Sequence, residues 1–189
     1  MAQTLLLQNA RLIDGLADQP RDKVSILVAG ERITAVEQDD LTPPAGARVI
    51  ELKGKTVVPG LIDTHVHTTL MGDEGLPLFL AAGVTSARDV GGKLEKVQQI
   101  KADLNSGKKL GPRLFICGPL LDGADQSFDY AALAEMLDSI PSPEAVPQKI
   151  GALLAAGVDA VKLYFTLPPD TATAVIRSPV TRIETLSRG

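Results

Sequence analysis

The five residues Leu80-Ala-Ala-Gly-Val84 recur as Leu154-Ala-Ala-Gly-Val158. Each copy reads as the end of a helix, a glycine that stops it, and the first residue of a strand. Repeated helix-to-strand units imply a parallel sheet or barrel wall, because parallel neighbours need a crossover helix between them. Five residues recurring twice in an Ala-rich chain can be coincidence, but both copies fall where an element changes on other grounds. Strands are predicted at 57–67, 84–90, 113–118 and 158–165. Leu94, Val97, Ile100 and Leu104 form one helical stripe that ends at Gly107. Ile150, Leu153 and Leu154 mark another that ends at Gly157, with Ser142-Pro143-Glu144 as its N-cap and first turn. Pro147 would remove a backbone bond one turn into that helix, so the regular part is expected to begin near Pro147 or kink there.

Residues 1–56 have a different character. A strand is predicted over 4–13, with Asp14-Gly15 as its turn. Apolar-polar alternation on both sides of Ala29-Gly30-Glu31-Arg32 predicts a hairpin of 24–28 with 33–36. A loop at Thr42-Pro-Pro-Ala-Gly46 precedes a further strand at 48–52. The segment reads as a small antiparallel sheet that cannot bury both faces alone.

Composition excludes several classes of function. A hydrophobic content of 44% and a mean hydropathy of +0.12 supply a core and argue against disorder. Two tyrosines, four phenylalanines and no tryptophan leave little for base stacking. The net charge of −4, without a basic patch, counts against a nucleic-acid partner. Cys117 is the one cysteine, so no disulfide forms within the chain; in Leu114-Phe-Ile-Cys117 it reads as inert core. The N-terminus has no basic leader region, and no apolar run reaches the ~18 residues of a membrane span, so no membrane partner and a cytoplasmic location are expected.

The stretch Val57-Val-Pro-Gly-Leu-Ile-Asp-Thr-His-Val-His-Thr68 holds both histidines of the chain, His65 and His67. On a strand, residues i and i+2 share a face, so the two imidazoles would project side by side, a geometry for gripping one metal ion. The alternative is a half-buried strand whose histidines only hydrogen-bond to neighbours. Asp63 could also ligate, but it shares the face of His65 only if the strand is regular, and it is assigned to supporting the ligands. Arg88, Asp89, Gly91 and Gly92 come after the second strand, where barrel loops build pockets. They either contact substrate or, for Arg88 and Asp89, form a surface ion pair. Tyr164 is open in the same way, and Lys162 reads from sequence alone as a lysine snorkelling from a strand end.

Taken in order, these residues resemble the amidohydrolase superfamily. Val57-Val-Pro-Gly-Leu-Ile-Asp-Thr-His-Val-His is similar to its opening metal motif. Gly83-Val-Thr-Ser-Ala-Arg-Asp-Val-Gly-Gly92 and Gly157-Val-Asp-Ala-Val-Lys-Leu-Tyr164 are similar to the second and fourth barrel strands of the branch containing imidazolonepropionase-like enzymes and dipeptide-hydrolysing relatives. The resemblance implies an α/β fold: the N-terminal half of a metal-dependent hydrolase-type (β/α)8 TIM barrel, about four β/α units over 57–176, preceded by part of a small β-sandwich over 1–56. It also implies that His65, His67 and Lys162 are metal ligands, with Lys162 carboxylated to a carbamate bridging two cations. The implied cofactor is one or two divalent ions, zinc foremost. The implied chemistry is hydrolysis of a carbon–nitrogen bond in a small amide, lactam or dipeptide by a metal-bound hydroxide.

The family pattern needs two later histidines and a late aspartate as general base, and the chain has no third histidine. No catalytic residue is therefore assigned. The residues beyond 56 amount to about half of the ~250 a full barrel takes. Leu167-Pro-Pro-Asp-Thr-Ala-Thr-Ala-Val-Ile176 still resembles the next helix, whereas 177–189, interrupted by Pro179, is a divergent tail. The sequence thus reads as a truncated or frame-shifted product, inactive alone, or as one piece of a split protein. A completing chain or second copy would then meet the open, apolar edge of the fourth strand.

Overall fold

The computed structural model describes residues 4–123, 131–164 and 166–178. The chain divides into two compact units, Met1–Pro59 and Gly60–Gly189.

The first unit is one five-stranded sheet. Strand β1 (Thr4–Leu12) pairs antiparallel with β2 (Arg21–Ala29), which forms the expected hairpin with β3 (Arg32–Gln38). The sheet is mixed rather than antiparallel, because β4 (Arg48–Glu51) and β5 (Thr56–Val57) both run parallel to β1 along its free edge. Hairpin alternation fixes a turn partner locally, but nothing local says that β4 crosses back to β1 instead of extending from β3. Leu12, Val24 and Ile26 are buried on this sheet, with Leu7, Val28 and Val57 half-buried around them.

The strand expected over 57–67 is two strands. Val57 ends β5 in the first sheet, Pro59 lacks a ladder donor, and β6 (Leu61–Val66) opens the second unit. There β6 pairs in parallel with β7 (Val84–Asp89), which pairs in parallel with β8 (Arg113–Ile116). Helices α1 (Thr68–Met71) and α2 (Leu76–Ala81) connect β6 to β7, and α3 (Leu94–Asn105) connects β7 to β8. The stripe on α3 divides its work. Val97 is fully buried with Val66, Ala87, Leu114 and Ile116, flanked by Ile100 and Leu104, whereas Leu94 packs on the cluster further along the chain.

After β8 the chain kinks at Gly118-Pro119 and resumes as β9 (Leu120–Asp122). Helix α4 (Ala131–Ala134) leads to β10 (Leu137–Ser139), parallel to β9 on one side. A 3-10 turn at Pro143–Ala145 runs into α5 (Val146–Ala155), which begins beside Pro147 as expected. On the other side of β9 lies β11 (Lys162–Leu163), parallel to it, followed by α6 (Pro169–Arg177). Of the strand expected over 158–165, only these two residues are regular, and Phe165 lies outside the described residues. The segment before them still flanks β8: Asp159 N–H donates to the Ile116 carbonyl (2.8 Å), and the Asp159 carboxylate accepts from Ile116 N–H (2.7 Å) and Lys101 Nζ (2.7 Å). Of the predicted tail over 177–189, everything past residue 178 lies outside the described residues.

The repeated pentapeptide has one geometry in both copies. Gly83 (φ +80°) and Gly157 (φ +81°) each sit in the left-handed region past a helix end, donating to the carbonyls of Leu80 (3.0 Å) and Leu154 (2.9 Å). The main core of the unit packs Ile150 and Leu153 of α5 and Val175 of α6 over Leu121 and Ile140. β6 is the outer strand of its sheet, and Leu61 and Ile62 on it are exposed. Among the described residues, no helix is long and apolar enough to cross a membrane.

Candidate metal centre

The two histidines come off the end of β6 on one side of the chain, because Val66 between them turns into the core. His65 is exposed and His67 half-buried, with ring centroids 5.7 Å apart and planes inclined by 70°. A ligand nitrogen about 2.1 Å from zinc puts its ring centroid about 3.2 Å away, so two rings on one ion stand at most about 6.4 Å apart. The pair meets that condition. His67 Nδ1 lies 2.8 Å from the Gly91 carbonyl oxygen. A carbonyl only accepts, so Nδ1 carries a proton, and in the neutral ring the lone pair is then on Nε2, the nitrogen an ion would take.

The strand is not regular here. Asp63 pairs with Ala87 and Val66 with Asp89, so three steps on β6 match two on β7. This bulge re-aims the side chains beside it. The Asp63 carboxylate turns back to accept the His65 backbone N–H (3.0 Å), and Arg88 Nε donates to the Thr64 carbonyl (2.9 Å). Arg88 is exposed, whereas Asp89 is completely buried. The Asp89 carboxylate accepts the backbone N–H of Thr68 (2.7 Å), the Thr68 hydroxyl and the N–H of Gly91 (3.0 Å). A surface ion pair of Arg88 with Asp89, one of the two sequence readings, is thereby corrected: the backbone N–H groups of Thr68 and Gly91, with the Thr68 hydroxyl, hold the carboxylate inside.

Lys162, half-buried, opens β11 opposite Leu120. A methyl group on Gly91 would stand 2.6 Å from Leu120 Cδ2 and 3.1 Å from His67 Cε1, so Gly91 is wedged between the imidazole and the strand that carries Lys162's neighbour. Tyr164, half-buried, donates its backbone N–H to Leu121 (2.8 Å). Among the described residues, no three His, Cys, Asp or Glu side chains group closely enough to hold an ion. The structure therefore brings His65 and His67 together, with Asp89 and Gly91 behind them. Thr68, whose N–H and hydroxyl both serve Asp89, carries no signal in the sequence beyond its place after the second histidine.

Burial pushes the Cys117 thiol up to about 11 from its ordinary 9.0; the charges of Asp89 and Asp159 act the same way, and those of Arg88 and Lys162 oppose them. The unfolded thiol ionises first as pH rises past 9.0, so the unfolded state then binds fewer protons and stability falls between pH 9 and 11. The loss is expected to approach about 2–3 kcal/mol at the upper end, at ~1.4 kcal/mol per pH unit. Urea unfolding at pH 8 and pH 10.5 checks this: the decline should be visibly shallower in Cys117→Ala.

No protein-family model matches the chain. The chain is 38% identical over 84 residues to an N-acyl-D-glutamate deacylase of Alcaligenes xylosoxydans xylosoxydans, covering 43% of this chain and 17% of that one. It is 29% identical over 156 residues to a D-aminoacylase of the same organism, covering 81% of this chain and 28% of the relative. Among solved structures it is similar to an amidohydrolase, with a TM-score of 0.78 at 24% identity over 92% of this chain and 53% of the other. It thus spans about half of that structure and under a third of the two relatives.

Proposed function

We propose, from the premise that the chain belongs to the amidohydrolase superfamily and carries an N-terminal portion of it, that His65 and His67 begin a divalent-metal site serving hydrolysis of a carbon–nitrogen bond. One observation carries this reading: His67 gives its Nδ1 proton to Gly91 and keeps Nε2 free, with His65 beside it at a spacing two ligands of one ion can have. A bound zinc ion would supply Lewis acidity, polarising the scissile carbonyl and making water more acidic. This chain's residues would hold and frame it. His65 and His67 would donate nitrogen, and Lys162, carboxylated on its neutral amine, would add hard oxygen donors. Asp63 would steady the His65 backbone, and Arg88 and Tyr164 would line the substrate side.

In the same reading the three parallel strands β6, β7 and β8, with β9 and β11 after them, are the first half of a (β/α)8 barrel, and the first sheet is part of a β-sandwich. The substrates are small amides, lactams or dipeptides, in keeping with the acyl-amide chemistry in the names of the two relatives. These 189 residues hold two histidines, so in this reading any further imidazole ligand comes from outside them, and the 189 residues by themselves do not turn over substrate. A second reading, a non-catalytic remnant, is favoured by the lack of any three grouped His, Cys, Asp or Glu residues among the described ones.

Elemental analysis of the purified chain beside a His65→Ala/His67→Ala double variant separates the two. Near-stoichiometric zinc that the variant loses is expected; no metal in either would leave the remnant reading. Hydrolysis of amides, lactams or dipeptides by the isolated chain, abolished by chelator, would instead sink the claim that it needs a partner.

A further inference from the structure

We infer that Asp89 is the residue that positions His67, fixing both its backbone and the tautomer of its ring. The inference rests on the metal-site reading for its purpose, but its geometry stands without a metal.

The Asp89 side chain is 0% exposed, so every contact it makes is an internal one. One oxygen takes both donors of Thr68, the residue covalently next to His67; the other takes the N–H of Gly91, the residue whose carbonyl receives the His67 Nδ1 proton. These bonds close a loop: imidazole to Gly91, Gly91 to Asp89, Asp89 to Thr68, Thr68 to His67. Rotating the ring away from Gly91 strips that carbonyl of its imidazole donor, and shifting the backbone at 67–68 breaks a charge-assisted bond to the buried Asp89 carboxylate, where an orphaned partner costs most. Asp89 is thus two bonds removed from the imidazole yet constrains both ends of it.

A second stitch in the same unit shows what the motif does without a histidine. Asp122 ends β9 as Asp89 ends β7, and it is equally buried. Its Oδ1 accepts the N–H (2.8 Å) and hydroxyl (2.7 Å) of Thr166, in the loop after the neighbouring strand β11. Among the described residues its Oδ2 has no hydrogen-bond partner. Pinning a neighbouring loop therefore needs only one carboxylate oxygen and a threonine. Asp89 differs in directing its second oxygen to the residue that orients an imidazole, and that difference assigns it a role beyond loop anchoring.

The test compares Asp89→Asn with Asp122→Asn in the full chain. In the metal-free protein at alkaline pH, nitrogen-15 spectra report which ring nitrogen of His67 carries the proton. Asp89→Asn should replace the single Nδ1–H form by a mixture, and zinc titration should show a 10–100-fold loss of affinity, the range typical of removing support behind a ligand. Asp122→Asn should lower stability yet leave the His67 tautomer and zinc affinity as in the unsubstituted chain. Should Asp89→Asn not fold, Thr68→Val, which deletes only the hydroxyl donor, should move the same two readouts in the same direction. An unchanged tautomer in the folded variant, or equal shifts from Asp89→Asn and Asp122→Asn, overturns the assignment. If the unsubstituted chain binds no zinc, the metal-site reading fails, and the tautomer measurement still decides the part played by Asp89.

Discussion

A Gly91→Ala chain is expected to fold and to bind zinc 10–100-fold more weakly than the unsubstituted chain, with a stability loss of about 1–3 kcal/mol. The new methyl group would lie 2.6 and 2.9 Å from Cδ2 and Cγ of Leu120 and 3.1 Å from Cε1 of His67. Leu120 is 1% exposed and anchored in the middle strand of β10-β9-β11, so it has little room to retreat. Relief then comes from the other side. Either the 91–92 loop backs off, taking its carbonyl away from His67 Nδ1, or the imidazole swings outward; each removes the bond that leaves Nε2 free. Isothermal titration with zinc, beside urea unfolding, reads both quantities. Full zinc affinity in a folded Gly91→Ala chain would mean that the ring needs no support from Gly91.

Much of this site is local in the sequence. The His-x-His spacing, the apolar residue between its members and the strand leading into it are all adjacent, and period-2 alternation places both rings on one side. The two glycine caps and the α3 stripe are legible for the same reason: each depends on residues within a turn or two. The features that escape are set by partners far along the chain. Val57 reads as the first residue of the histidine strand because it is apolar and close, yet it pairs with Leu12 in another sheet. β9 and β10 have three residues each, too short to show a period. Asp89 is the most instructive case. A carboxylate beside an arginine reads as surface, and its burial follows only once the N–H groups of Thr68 and Gly91 converge on it. The sequence shows which residue types stand at the ends of the strands; the fold decides which of them face each other.

Crowding by backbone, rather than by a side chain as at Gly91, sets the largest stability effect. Gly123→Ala is expected to cost at least about 3 kcal/mol, at the top of the range for overpacking, because nothing around the new methyl can rotate away. Its Cβ would stand 2.5 Å from the carbonyl oxygen and 3.2 Å from the carbonyl carbon of Thr166. That peptide is itself fixed, since the Thr166 N–H and hydroxyl are both held by Asp122, the residue before Gly123. Relief would have to break this stitch and leave the buried Asp122 carboxylate without the two donors that Thr166 gives it. Gly151→Ala provides the contrast. Gly151 lies exposed inside α5 with nothing within 4 Å of an added Cβ, so the same substitution there should stabilise the chain by about 0.5–1 kcal/mol. Denaturant midpoints of the two variants should therefore move in opposite directions. A Gly123→Ala midpoint close to that of the unsubstituted chain would show that the loop after β11 is free to move, and that the Asp122–Thr166 stitch does not hold it.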